Sequence, residues 1–473
     1  MHHCGAIATA DDARVVVGGT LAALVAADQL AADGERVRLV LPASGVGGGF
    51  AGRAWSGRTL EFGVRLLELD YENSGPPADL THYVAAHDGH RAYIATVREW
   101  LTELLDGRLT AVARPEMVFD GQRRDDIYFT TDLRGLPELL TPDEQARIAA
   151  EADSTRHRLG SDRGVLDPSR SGELTRMSLL DASLANHGAS FHHRFVAPII
   201  DKFTGSDGRD LLAPWHRKLW LPLFWPRTVA EAARGRAVSF TPRRPFHTVA
   251  PAGLSGVVDA LLARLRGRGV DLVTGGNLLA VEAESDSSVR LRLDGLGWVS
   301  AREPVVGVPA KQLFSAIGAD YRPRSARAVL AWVEVADEQV RHRPSVLTIV
   351  DPDCPLTRIS TGGRGRPGHT LFTVELRHDV ADDDVSDTAT ATLAGLGLIT
   401  EGAPTQVLTT VTGPSWNLPT ARNLADFAAA RQRLDELALP ARFIGGCEAF
   451  GADSLNEQIL QGLQAAIVRT PCP

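Results

Sequence analysis

The sequence lacks any apolar run approaching the roughly 20 residues that cross a bilayer, so no membrane span is expected. It also lacks a cationic amino-terminal stretch followed by an apolar core, and no signal peptide is expected. Positive charge is in deficit. A formal net charge of -8 and a pI near 6.0 argue against nucleic-acid and anionic-membrane partners, which need a concentrated basic field. Cysteine is sparse: Cys4, Cys354, Cys447 and Cys472 form neither a CxxC pair nor a tight metal spacing, a usage that suits a reducing cytoplasm. Lysine is scarce beside abundant arginine, alanine and glycine, which reflects a GC-rich genome more than a function. There is no internal repeat and no low-complexity block. The partner expected is a small-molecule substrate.

At 473 residues the chain is too long for one compact core, and two domains interleaved in sequence are expected. The most informative stretch runs from Arg14 to Gly63. Val15, Val16 and Val17 suit a buried parallel strand, and Gly18-Gly19-Thr20-Leu21-Ala22-Ala23 turns it into an alanine-rich helix. A second strand, Val37 to Leu41, leads to Gly45-Val46-Gly47-Gly48-Gly49, whose bare amides can approach a pyrophosphate closely. The dinucleotide fingerprint is GxGxxG followed by an acidic residue about 20 positions on. Gly18 and Ala23 satisfy its first and third positions, Thr20 replaces the second glycine, and Pro42 replaces the carboxylate.

Further along, Tyr83 to Leu105 has helical spacing around Tyr93, Val97, Trp100 and Leu101, residues 125–133 look like a strand, and Thr141 opens a charged helix reaching Leu159. From Pro251 the pattern returns to the first domain: a helix through Val257 to Leu265, a strand at Val270 to Thr274, and a meander from Leu278 to Trp298. Val329 to Val335, Val346 to Val350 and Leu371 to Leu376 read as strands, and Asn423 to Leu437 as a helix. Arg442 to Cys447 ends a strand in glycines, and Ser454-Leu455-Asn456 caps a final helix from Glu457 to Val468.

Between Leu180 and Val229 the chain is dense in histidine, tryptophan and arginine. Rings stack on a sugar or base and arginines grip phosphate or carboxylate, so this region is the candidate surface for a polar, anionic molecule. Lys202 and His216 are the candidates for proton work, with Arg227 beside them as a third catalytic candidate. Trp220, Trp225, Arg243, Arg244 and Arg364 are the candidates for substrate binding, with Arg366 a further anion grip. Adjacent His192 and His193 point in different directions on a helix and have no obvious supporting carboxylate, so no metal site is expected.

These segments together resemble the FAD-dependent oxidoreductases of the glutathione-reductase-type fold, in the branch that includes amine oxidases, protoporphyrinogen oxidase and UDP-galactopyranose mutase. Val15 to Ala23 resembles the family's first motif, Gly45-Val46-Gly47-Gly48 its second, and Leu60-Glu61-Phe62-Gly63 its following acidic-hydrophobic-glycine strand. Ser454-Leu455-Asn456 with Gly462 resembles the segment that places a helix amino terminus at the flavin pyrimidine ring. The resemblance implies an α/β protein. A Rossmann-like FAD-binding domain with a parallel sheet and a β-meander comes from residues 1–75, 246–315 and 426–473. An interleaved α+β substrate domain comes from 76–245 and 316–425.

The resemblance implies FAD as cofactor, held by Gly18, Gly19, Thr20, Ala23, Gly47, Gly48, Gly49, Gly446, Leu455 and Asn456. Thr20, Pro42 and Cys447 depart from its pattern at three cofactor contacts, and Glu448 stands one residue beyond the position of the missing carboxylate. Three activities stay open at this point. One is an amine-oxidase-like oxidoreductase passing hydride to flavin, another a flavin-dependent sugar mutase. The third is a protein of this fold that has lost FAD and works as a cofactor-independent isomerase or lyase, or as a partner subunit.

Overall fold

The computed structural model describes residues 13–43, 45–64, 66–69, 90–219, 223–236 and 246–467. Its first layer is a five-stranded sheet, all parallel. The first strand, Arg14–Val17, lies between Val37–Leu41 and Val305–Val306, with Asp271–Thr274 and Arg442–Phe443 at the edges. Val15, Val16 and Val17 are buried on both faces, as a β-branched run in a covered parallel sheet should be. The helix Leu21–Ala32, called the first helix below, is apolar on every side except its tail, because two other helices enclose it. These are Ser255–Gly267 and the last helix, Leu455–Ile467. A polar clamp adds to this packing: Asp28, nearly inaccessible, takes Arg264 at 2.5 Å and Arg268 at 2.9 Å.

The meander forms as its alternation predicts. Leu278–Ser285, Ser288–Leu293 and Gly297–Arg302 pair antiparallel, burying Val289, Leu291 and Leu293 while Arg290 and Arg292 face water. A second large sheet is mixed and has seven strands. Ser325–Ala336 is its longest buried strand, flanked by Thr405–Asn417 and His369–Leu376, and the order continues through Leu356–Thr361 and Val346–Ile349. Val346–Ile349 then pairs parallel with Glu116–Phe119, which turns back into Gln122–Asp125.

A helical layer between Pro142 and Ala233 completes the molecule. Its helix Pro142–Leu159 opens on a full capping box, with Thr141 and Glu144 each accepting from the other's backbone N–H.

Two sequence expectations change. The strand expected over 125–133 ends at Asp125, because the Asp126 carboxylate accepts from Tyr128 N at 2.8 Å and Phe129 N at 2.5 Å and winds the chain into a turn. The helix His90–Leu105, assigned by sequence to the substrate domain, buries Val97, Trp100, Leu101 and Leu104 in the same core as the first helix.

Candidate functional site

The first strand ends in Gly18, whose φ of +131° only glycine adopts with ease, and a Cβ there would lie 2.0 Å from Gly307 O. Thr20 then caps the first helix. Its Oγ1 accepts from Ala23 N at 3.3 Å and donates to Gly307 O at 2.7 Å, so the side chain turns towards the neighbouring strand end. The second glycine loop folds onto this turn through Gly47 N, which donates to Gly19 O at 2.6 Å. The Pro42 ring abuts Gly19, where a Cβ would meet it at 2.8 Å. Gly48 and Gly49 are exposed and present bare backbone.

On the opposite wall, the strand Arg442–Phe443 runs into Gly445 and Gly446. Gly445 is buried at φ +90°, yet a Cβ there would find nothing closer than Thr20 Oγ1 at 3.9 Å. At Gly446 the nearest atom would be Asp453 Cβ, also at 3.9 Å. The two glycines therefore leave a space beside Thr20, Val308 and Asp453, at the amino-terminal end of the first helix. A space walled by bare backbone at the positive end of a helix fits the diphosphate of a dinucleotide. The last helix begins nearby with its own capping pair, Ser454 and Glu457, followed by buried Leu455 and half-buried Asn456.

Cys447, where the resemblance has a carboxylate, faces the core instead. It is fully buried, its Sγ lies 3.3 Å from Ile444 O, and burial pushes its thiol up to about 12. Cys447 is therefore expected to resist iodoacetamide in the native protein and to alkylate at least about tenfold faster in denaturant, as peptide mapping by mass spectrometry would show. Glu448 is exposed.

A cleft of about 210 Å³ opens between the mixed sheet and a small three-stranded sheet of Leu67–Glu68, Phe246–Val249 and Leu109–Ala111, lined among others by Glu61, Gly63, Thr248, Arg343, Ser345 and Thr361. Glu61 is its buried acid. Its Oε1 accepts from Leu254 N at 2.5 Å and Ser255 N at 3.2 Å, at the start of the helix Ser255–Gly267, where a negative charge meets the helix dipole. Among the described residues Arg343 is the cleft's cation, positioned by Thr370 Oγ1 at 2.8 Å and Asp337 Oδ1 at 3.0 Å.

The strand–turn segment around Glu61 is tied to the mixed sheet and the turn at Arg364 at three points. Glu334 takes Arg58 through two bonds of 2.9 and 2.7 Å, Trp332 Nε1 donates to Glu61 O at 2.8 Å, and Thr59 and Arg364 exchange backbone hydrogen bonds. The Arg58 hydrogen bond, with the Arg366 amide behind it, holds Glu334 down to about 2.

The sequence candidates scatter over this frame. Lys202 is buried, donates to Ile349 O at 3.1 Å and Leu356 O at 2.8 Å, and is pushed down to about 8 by burial; it staples two strands of the mixed sheet. His216 is buried and accepts from Leu223 N at 3.1 Å. Arg227 is exposed and pairs with Asp162. Trp225 is buried with Arg163 over its ring. His192 sits in the helical core, bonded to Ser183 at 2.9 Å. None of these residues lines the cleft; Arg364 stands two residues beyond Gly362, which with Thr361 does. Trp220, Arg243 and Arg244 lie outside the described residues. Sequence reasoning missed Arg343 as a site residue, and it noted Glu61 only as part of a motif.

No family model matches the chain, and no curated protein matches it by sequence. Solved structures do. A reduced UDP-galactopyranose mutase superimposes with a TM-score of 0.66 at 12% identity, over 96% of this chain and 93% of that one. Putrescine oxidase bound to putrescine gives 0.55 at 14%, over 96% and 98%. A fatty acid isomerase from P. acnes that produces CLA gives 0.56 at 14%, over 96% and 97%. Across nearly its whole described length, the chain has the fold of the FAD-dependent oxidoreductases that its sequence resembles.

Proposed function

We propose that the protein is an FAD-dependent oxidoreductase of the amine-oxidase type, acting on a polar, anionic small molecule in the cleft lined by Glu61 and Arg343. The observation that carries this reading is the position of Arg343 and Glu61, one cation and one buried acid among the described residues lining a cleft against the mixed sheet, with Glu61 anchored to the start of the helix Ser255–Gly267 that packs on the first helix. FAD, when bound, supplies hydride acceptance. Gly18, Gly19, Thr20 and Ala23 on one wall, Gly446 on the other, the loop Gly47 to Gly49 and the last-helix start at Leu455 and Asn456 would hold it. The chain's own residues do the rest. Arg343 attracts and orients the anionic group, while Glu61 holds the helix start beneath the cleft.

A flavin-dependent sugar mutase is the second reading, supported by the higher TM-score with the mutase structure. Anaerobic mixing separates the two. Bleaching of a bound flavin spectrum by substrate supports the oxidoreductase, whereas turnover of a sugar nucleotide only after prior reduction, without net bleaching, supports the mutase. A protein that acquires no flavin spectrum overturns both, and leaves the isomerase, lyase or partner-subunit reading. Arg343→Ala is expected to raise KM for the anionic substrate about tenfold with a smaller effect on kcat, the loss of one charge-assisted hydrogen bond.

A further inference from the structure

The last helix turns Gln458, Gln461 and Gly462 towards the first helix and the strand end beside it. Gly462 permits the approach, since a Cβ there would lie 2.6 Å from Val25 Cβ and 2.7 Å from Ala22 O. One turn earlier on the same face, Gln458 is carried to the first helix's amino terminus, and its Oε1 accepts from Ala22 N at 3.4 Å. Gln461 Oε1 accepts from Gly445 N at 3.1 Å. The carboxamide nitrogens fix this orientation, donating to Asp453 O at 2.9 Å and Ala452 O at 3.3 Å. Both side chains are only 8% exposed, so these contacts form away from bulk water.

Ala22 N is one of the first-turn donors that a helix cannot satisfy internally, and Gly445 N borders the glycine-walled space. Both are backbone donors of the helix start and strand end that wall this space, the kind of group on which a phosphate draws, and both already hold a neutral oxygen from the chain itself.

We propose that Gln458 and Gln461 form a displaceable internal stopper, so that this protein takes up and releases FAD reversibly instead of keeping it resident. The proposal rests on the flavin-dependent reading above. Uptake exchanges each glutamine contact for one to the cofactor, and the contacts stabilise the cofactor-free protein, lowering affinity by about tenfold each.

Titrating the purified chain with FAD, read by quenching of flavin fluorescence and by the thermal midpoint, tests this. The wild-type protein is expected to bind FAD and lose it on dialysis. Gln458→Ala and Gln461→Ala are each expected to bind about tenfold more tightly, while melting at lower temperature without FAD. Should Gln458→Ala fail to fold, Gln458→Leu keeps most of the volume and removes the same acceptor. Stoichiometric flavin retained by the wild type through dialysis, or unchanged affinity in the variants, overturns the stopper while leaving the flavin reading intact. Flavin uptake by neither wild type nor variants overturns the flavin reading itself.

Discussion

Glu334→Gln is expected to lower stability by about 3 kcal/mol at pH 7 and to cost almost nothing near pH 2, as urea denaturation across that range would show. Glu334 is held down to about 2 from an ordinary 4.5, a difference worth about 3 kcal/mol when each unit is about 1.4. The sign follows from the direction of the shift. A carboxylate depressed by folding contributes its full stabilisation above about pH 4.5 and loses it as pH falls through about 2. The side chain is inaccessible and Arg58 is only 13% exposed, so water screens the pair weakly. Glutamine keeps an acceptor for the Arg366 amide but leaves the Arg58 guanidinium without its counter-charge. A wild-type protein that gained stability between pH 4.5 and 2 relative to the variant would show that the pair does not tie the segment before Glu61 to the mixed sheet.

How much of this was legible in the sequence depends on the range over which each signal acts. The turn at Gly18 to Ala23, the meander and the glycine-ended last strand declare themselves locally, through β-branching, two-residue alternation and cap chemistry, and each forms near its expected place. The turn at Asp126 was obscured because residues 126–133 are all buried, and an apolar stretch there reads as a strand until its capping carboxylate is seen.

The cleft was harder to see. Glu61 and Arg343 stand far apart in sequence, and tertiary contacts such as Trp332 to the Glu61 carbonyl bring them to one opening. Aromatic and basic density between Phe191 and Trp225 pointed elsewhere because composition cannot separate a ring in a pocket from a ring in a core. Phe191, Phe195 and Phe224 pack together in the helical layer, and Lys202 is consumed by strand carbonyls. Gln458 and Gln461 gave no signal of their own, since glutamine on a helix ordinarily faces water. Their spacing from Gly462, a small residue at a helix crossing, is the one local hint that they turn inwards.

Glu61→Ala is expected to destabilise the protein by about 3 kcal/mol, because Leu254 N and Ser255 N would lose their buried acceptor and each orphaned donor costs about 1 to 3 kcal/mol. Glu61→Gln keeps an acceptor oxygen and loses only the charge at the helix start, about 0.5 to 1 kcal/mol. Equal unfolding midpoints for wild type and Glu61→Ala would remove Glu61 from its role as the anchor of that helix.

The same pair of variants reports on the charge the cleft prefers. Glu61 lines the opening with Arg343, so an anionic ligand gains from the guanidinium and is opposed by the carboxylate. Removing that opposition in Glu61→Gln should tighten an anion about fivefold, the equivalent of about 1 kcal/mol, and weaken a cationic amine by a similar factor. Because Glu61→Gln retains the helix contact, a change in ligand preference without a matching loss of stability assigns the effect to charge in the cleft. If instead an amine binds the wild type better than an anion does, the substrate class follows Glu61, and Arg343 serves Asp337 and Thr370 alone.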